Sequence, residues 1–219
     1  MLRVAISLVM MVMLCFPIMT SAATIVDTGT PDESNPWAFL DWQYFAGEFS
    51  TTDTHTVQSI EGFFGNEFSS ESGQVTIGIH ADGGARPGAL LFSSTINMAA
   101  FAPLGWWGVS VNQLLGPGTY WASFIPSPEI SGSMPGTAPS PLEEYAQGCS
   151  STSTTQCFSF ASTVDGWYDV PADSFDYLDV GVRINGELQA VPDSTTTFGL
   201  MLIVMLVGAF VLRGRARTA

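Results

Sequence analysis

Three stretches of this chain alternate apolar and polar residues with a period of two. Val75, Ile77 and Ile79 interleave with Thr76, Gly78 and His80; Trp107, Val109 and Val111 interleave with Gly108, Ser110 and Asn112. Val180, Val182 and Ile184 do the same with Gly181, Arg183 and Asn185. Successive strand residues point to opposite faces, so each stretch reads as a strand with one buried and one wet face. Further strands are expected over 45–50, 57–64, 90–96, 119–125 and 158–161. Turn chemistry separates them: Asp82-Gly83-Gly84, Arg86-Pro87-Gly88, Gly116-Pro117-Gly118 and Asn185-Gly186. Outside the two ends, no run of twelve residues carries a helical period. The pattern predicts an all-β fold, a jelly-roll-like antiparallel β-sandwich spanning 24–190.

Charge narrows the partners of that segment. It holds 19 of the chain's 20 acidic side chains but only Arg86 and Arg183 of its six basic ones, and there is no lysine. The formal net charge of 24–190 is two minus nineteen, −17. A surface so negative repels phosphate backbones and excludes nucleic-acid binding through a basic patch. Its Val, Ile, Leu, Phe and Trp content is nonetheless sufficient for a core, unlike that of a disordered acidic chain.

The two ends differ from the middle. Arg3 precedes an apolar run over 4–19, closed by Thr20, Ser21, Ala22 and Ala23. A basic start, a short apolar stretch and small residues describe a secretory signal peptide, 1–23, cut after Ala23 or Ala22; a retained anchor is the alternative. Cys15 follows Leu14, where a lipidation signal needs a small residue. At the other end Val191, Pro192, Asp193 and Ser194 precede an apolar span over 197–212, and Arg213, Arg215 and Arg217 follow at once. As a helix that span is about 24 Å long, short of a ~30 Å hydrocarbon core unless it stands upright and the arginines snorkel. The arginines place the tail in the cytoplasm by the positive-inside rule, and the signal peptide places 24–190 outside.

Motif, span and basic cluster, in that order, resemble the C-terminal sorting signal of the PEP-CTERM class. The nearer match is its V-P-D-S-G variant, although Thr195 stands where that variant has glycine. The resemblance covers fewer than thirty residues, 191–217. It implies processing by exosortase, a membrane cysteine transpeptidase, with the tail holding the protein at the membrane until it is cut near Val191–Pro192–Asp193–Ser194. The mature domain is then expected at the cell surface or in an exopolysaccharide matrix. Two stretches of the middle, 76–88 and Leu115-Gly116-Pro117-Gly118-Thr119-Tyr120-Trp121, resemble the secreted β-sandwich modules known as choice-of-anchor domains. His80 stands where tyrosine is common in that pattern, implying a packing or edge position.

Residues 126–156 are rich in Pro, Ser, Gly and Thr and are expected to form a long surface loop or insertion. Cys149 and Cys157 bracket a hydroxyl-rich run. In an oxidising exterior, two cysteines alone in a mature domain are expected to pair, a closure worth roughly 2.5 kcal/mol in the chain-entropy model.

Chemistry-bearing motifs are sparse. His55 and His80 are the only histidines, read as surface or edge residues, and no Gly-x-Ser-x-Gly occurs. Glu143 and Glu144 form an acid pair, but with 19 acids in the segment such a pair is uninformative. The run Asp165, Asp169, Asp173, Asp176 and Asp179 offers hard oxygen ligands, with Asp173, Asp176 and Asp179 the Ca²⁺ candidates. Its spacing matches no calcium loop, and a solvated acidic face is the simpler reading. Trp106 should share the polar face of its strand with Gly108 and Ser110, where an exposed indole can stack on sugar rings. Coverage of Trp106 by a neighbouring loop is the plainer alternative. The expected function is non-enzymatic, with no cofactor. A carbohydrate-binding module using Trp106, with Tyr120 or Trp167, is the alternative, and a secreted hydrolase with dispersed acids is the weaker one.

Overall fold

The structure, a computed structural model, describes residues 23–34, 36–142, 144–149, 166–169 and 179–189. The chain separates into two units, Met1–Leu188 and Gln189–Ala219. Gln189 is the only described residue of the second, so the account below concerns the first.

Twelve strands occur among the described residues: β1 (Ala23–Asp27), β2 (Pro36–Leu40), β3 (Tyr44–Thr51), β4 (His55–Asn66), β5 (Gly73–Asp82), β6 (Pro87–Met98), β7 (Ala102–Leu115), β8 (Gly118–Pro126), β9 (Ser131–Pro135), β10 (Tyr145–Cys149), β11 (Gly166–Asp169) and β12 (Val182–Leu188). They form a four-stranded sheet in the order β1-β12-β4-β7, a six-stranded sheet in the order β11-β10-β3-β8-β5-β6, and a β2-β9 pair. Every strand pairing is antiparallel. The expected all-β class is observed.

The period-two pattern decides which face turns inward. Val75, Ile77 and Ile79 of β5 are fully buried, as are Phe45 of β3 and Phe124 of β8, and they meet Ile60, Val182 and Ile184 of the four-stranded sheet in one apolar layer. Trp107 and Val111 pack against the same layer beside buried Val109. The two sheets therefore share a core, the arrangement of a β-sandwich. Phe124 lies 5.8 Å from Phe64, ring centre to ring centre. Gly62 makes room for it, because a Cβ there would stand 2.6 Å from the Phe124 ring.

Register places the ends of the fold. Ala23 pairs with Gly186, Leu188 with His55, and His55 with Leu115. The β3–β4 and β7–β8 turns cross between the sheets at this same end. The β4–β5 and β6–β7 turns cross at the opposite end, so the domain's first and last strands open and close together.

Two expectations are corrected and a third is not reached. Asn185-Gly186 is not a turn: both lie inside β12, where the register shifts by a bulge between them. Residues 126–156 are not wholly surface loop. They carry buried β9, which pairs with β2, and β10, which pairs with β3. The strand expected at 158–161 lies outside the described residues.

Phe124→Ala should lower the unfolding free energy by about 3–5 kcal/mol, since a large ring at the sheet–sheet contact leaves a cavity that the rigid strands cannot close. Phe68→Ala, on an exposed turn, should stay within about 0.5 kcal/mol. Urea denaturation of the two variants checks the contrast.

Candidate functional site

Antiparallel register sets His80 of β5 opposite Trp121 of β8, and Gly78 opposite Ser123. These residues point away from the shared core, onto the outer face of the six-stranded sheet. That face is not wet. Trp121, Ala46 and Ala146 are fully buried there, with Trp167 of β11 packed on them. Trp167 also meets Tyr44 edge-on at 4.9 Å and His80 at 6.0 Å. Of the expectations for His80, the packing position is the one observed and the surface or edge position is overturned: it is 7 % exposed. β5 is an interior strand, and the second aromatic layer covers its outer face.

His80 Nδ1 lies 3.2 Å from the Gly88 carbonyl oxygen and Nε2 lies 3.0 Å from Ser123 Oγ. A carbonyl only accepts, so Nδ1 carries the proton and donates to it, which leaves Nε2 to accept from the Ser123 hydroxyl. Gly78 leaves space for that hydroxyl, since a Cβ at 78 would stand 2.8 Å from it. Burial lowers the His80 pKa below its ordinary 6.5, partly offset by the Gly88 carbonyl, and keeps the ring neutral. Asp82 Oδ1 accepts from Gly84 N at 2.8 Å and lies 3.5 Å from Trp121 Nε1. Serine, imidazole and an orienting acceptor follow the order of a nucleophile and its base. Ser123 is only 1 % exposed, however, so the pair as it stands joins two strands and offers no open reaction centre.

The other expected positions are dispersed. Trp106 does share the outer face of the four-stranded sheet, but its indole is engaged. The Arg183 guanidinium carbon sits 3.8 Å from the ring centroid, Phe63 packs edge-on at 5.4 Å, and Nε1 donates to Thr30 Oγ1 at 3.2 Å. Arg183 is itself fixed by Asp27, with Nε 3.0 Å from Oδ1. Asp27 in turn accepts from Gly29 N, the main cause of its lowered pKa. Tyr120 points inward, 5.8 Å from Phe49, and its hydroxyl donates to Gly116 O. His55 is half-buried at the start of β4, with a buried Nδ1 that has no hydrogen-bond partner among the described residues.

Of the calcium candidates only Asp179 is described. It bridges to Thr137, its backbone exchanges hydrogen bonds with Gly136 and Ala138, and burial raises its carboxyl pKa. No cluster of three or more metal-ligating side chains occurs among the described residues. Asp173, Asp176, Cys157, the motif Val191, Pro192, Asp193 and Ser194, and Arg213, Arg215 and Arg217 lie outside them, whereas Cys149 ends β10. Among the described residues no helix is long and apolar enough to cross a membrane. The chain matches no protein family, and no curated protein matches it.

The His80 environment sets a pH dependence. Above about pH 6.5 the folded and unfolded states both hold His80 neutral, so stability is at its full value. As pH falls below 6.5, the unfolded state takes up a proton that the folded state refuses, and stability declines until the folded pKa is passed. Asp179, raised by burial, titrates with the opposite sign, so the comparison should be with His80→Asn, which retains Asp179. Chemical denaturation between pH 7.5 and 5 should show a steeper loss in the parent than in His80→Asn.

Proposed function

We propose that this chain is a non-enzymatic exported protein. Its jelly-roll-like ectodomain, 24–190, is carried outward by a signal peptide at 1–23 and held at the membrane by the apolar span 197–212. Exosortase then processes the tail at Val191, Pro192, Asp193 and Ser194, releasing the domain to the cell surface or an exopolysaccharide matrix. The observation that carries this reading is the order of motif, apolar span and Arg213, Arg215 and Arg217 at 191–217. Pro192 lacks an N–H and keeps its predecessor extended, which leaves the motif accessible to a protease.

The fold is compatible with this route. Its first strand begins at Ala23 and its last ends at Leu188, and the two are neighbours at one end of a sheet. The disulfide between Cys149 and Cys157 belongs to the same reading, since it needs the oxidising exterior.

Intact-mass analysis of the protein recovered from its native host tests the route. The expected product starts at Ala23 or Thr24, ends near the 191–194 motif, and carries oxidised cysteines. Replacing Arg213, Arg215 and Arg217 together by serine should leave uncut precursor. A full-length, reduced polypeptide in the cytosol overturns the reading.

A carbohydrate-binding role is the second reading, and it now rests on Trp167. That half-buried indole stands beside Tyr44 on the outer face of the six-stranded sheet, whereas one face of Trp106 is covered by Arg183. Polysaccharide pull-down should be lost in Trp167→Ala and kept in Trp106→Ala if this role exists; no binding by the parent removes it.

A further inference from the structure

We propose that the free edge of β6 is an assembly surface on which a second copy of this chain adds its own β6, antiparallel, so that the six-stranded sheet continues from one molecule into the next. β6 is the last strand of its sheet and β7 the last of the other, and a short turn at 99–101 places both edges on one flank of the sandwich. Among the described residues, no strand pairs with the outer side of β6. A bulge interrupts its beginning, where Leu91 is the extra residue between the pairs His80↔Leu90 and Ile79↔Phe92. From Phe92 to Met98 the pairing with β5 is regular, residue for residue, down to Gly73↔Met98. That leaves seven residues, Phe-Ser-Ser-Thr-Ile-Asn-Met, with a straight unpaired edge of about 23 Å.

Edge strands are ordinarily guarded by lysine, by inward-pointing charge, by proline or by brevity. The edges of the opposite flank are short: β11 has four residues, and β1 has five, with an irregularity and Asp27 at its end. The 92–98 edge has none of these guards. The whole stretch 87–128, which carries β6, β7 and β8, contains no Asp, Glu, Lys, Arg or His.

Charge identifies the occupant. With a net −17 over 24–190, two copies repel each other wherever their acidic surfaces meet, and the neutral flank is where that repulsion is weakest. A basic partner would be drawn to the carboxylates elsewhere, whereas a second copy presents the same uncharged edge and meets this one with no carboxylate from either β6 at the contact. Centred on Thr95, an antiparallel β6–β6 pair sets Thr95 against its own copy and Ser93 against Asn97, hydroxyl and amide pairs that favour cross-strand contact. Ser93, Thr95 and Asn97 are exposed, as that pairing requires. The two-fold axis repeats the same patch on both copies and closes the assembly as a dimer.

Sedimentation of the purified full-length chain in mild detergent, at two concentrations, tests this. The parent should be dimeric, and S93K/T95K should weaken dimerisation at least tenfold while keeping the parent's melting temperature within a few degrees. T52K/S140K, which adds the same charge at exposed positions away from the edge, should dimerise as the parent does. In a separate variant, Thr95→Cys should be captured as a dimer by a short thiol cross-linker and Thr52→Cys should not. A monomeric parent overturns the proposal and leaves the edge to a strand of another protein. So does an S93K/T95K variant that assembles like the parent, or cross-linking that is indifferent to position. None of these outcomes depends on export or tail processing, so this inference and the proposed function fail separately.

Discussion

The contact between the two sheets is the constraint from which the rest of the domain follows. Phe124, Phe64, Ile60 and Ile77 are fully buried at that contact. Burying each such side chain contributes on the order of 1.5–3 kcal/mol. The close approach needs glycine at 62, and the strand lengths are matched so that short turns can cross between the sheets at both ends. Once the inner faces are committed, every outer face is fixed too, because a strand cannot turn one residue without turning its neighbours. Trp106, His80 and Thr95 stand where they do because Trp107, Ile79 and Ile96 face the core.

Much of this was legible in the residues. The alternation of Trp107, Val109 and Val111 correctly places Trp106 on the outer face, and that of Val75, Ile77 and Ile79 correctly fills the core. What alternation could not report is whether the second face stays wet. The sheet of β3, β8 and β5 carries a second aromatic layer, so His80 and Ser123 are buried despite lying on the face read as polar. A signal was available in β8, Gly-Thr-Tyr-Trp-Ala-Ser-Phe-Ile-Pro, where large apolar residues fall on both parities. A strand with apolar side chains on both faces is covered on both.

The missed strands fail for a different reason. β9, Ser-Gly-Ser-Met-Pro, has the composition of a loop, yet it packs where only a small residue fits: a Cβ on Gly132 would stand 2.0 Å from the Gly65 carbonyl oxygen. Small residues here serve close backbone approach, which sequence propensity reads as a turn. The same holds for Gly186 within β12, where a Cβ would stand 2.8 Å from the Thr56 carbonyl oxygen. Asn185-Gly186 has hairpin chemistry, but continued pairing with β4 as far as Leu188↔His55 carries the strand through it.

The acidic excess also has a structural share that composition hides. Asp27, Asp32 and Asp82 each accept a backbone N–H two residues on, from Gly29, Ser34 and Gly84, and so hold turns in place. The Glu67 carboxylate takes both the N–H and the hydroxyl of Ser133, tying the β4–β5 turn to β9. Carboxylates that close turns belong on connections and strand ends, and a stretch made of long strands joined by turns without a carboxylate cap needs few of them. Residues 87–128 are such a stretch: its turns are Ala99-Ala100-Phe101, where Phe101 takes a φ of 52°, and Gly116-Pro117, whose Gly116 carbonyl accepts from the Tyr120 hydroxyl. Turn chemistry thus separates charge from the β6–β7 flank before any question of partners arises. In a domain built this way the strands β6, β7 and β8 carry none of the charge that the rest of the sequence holds in excess.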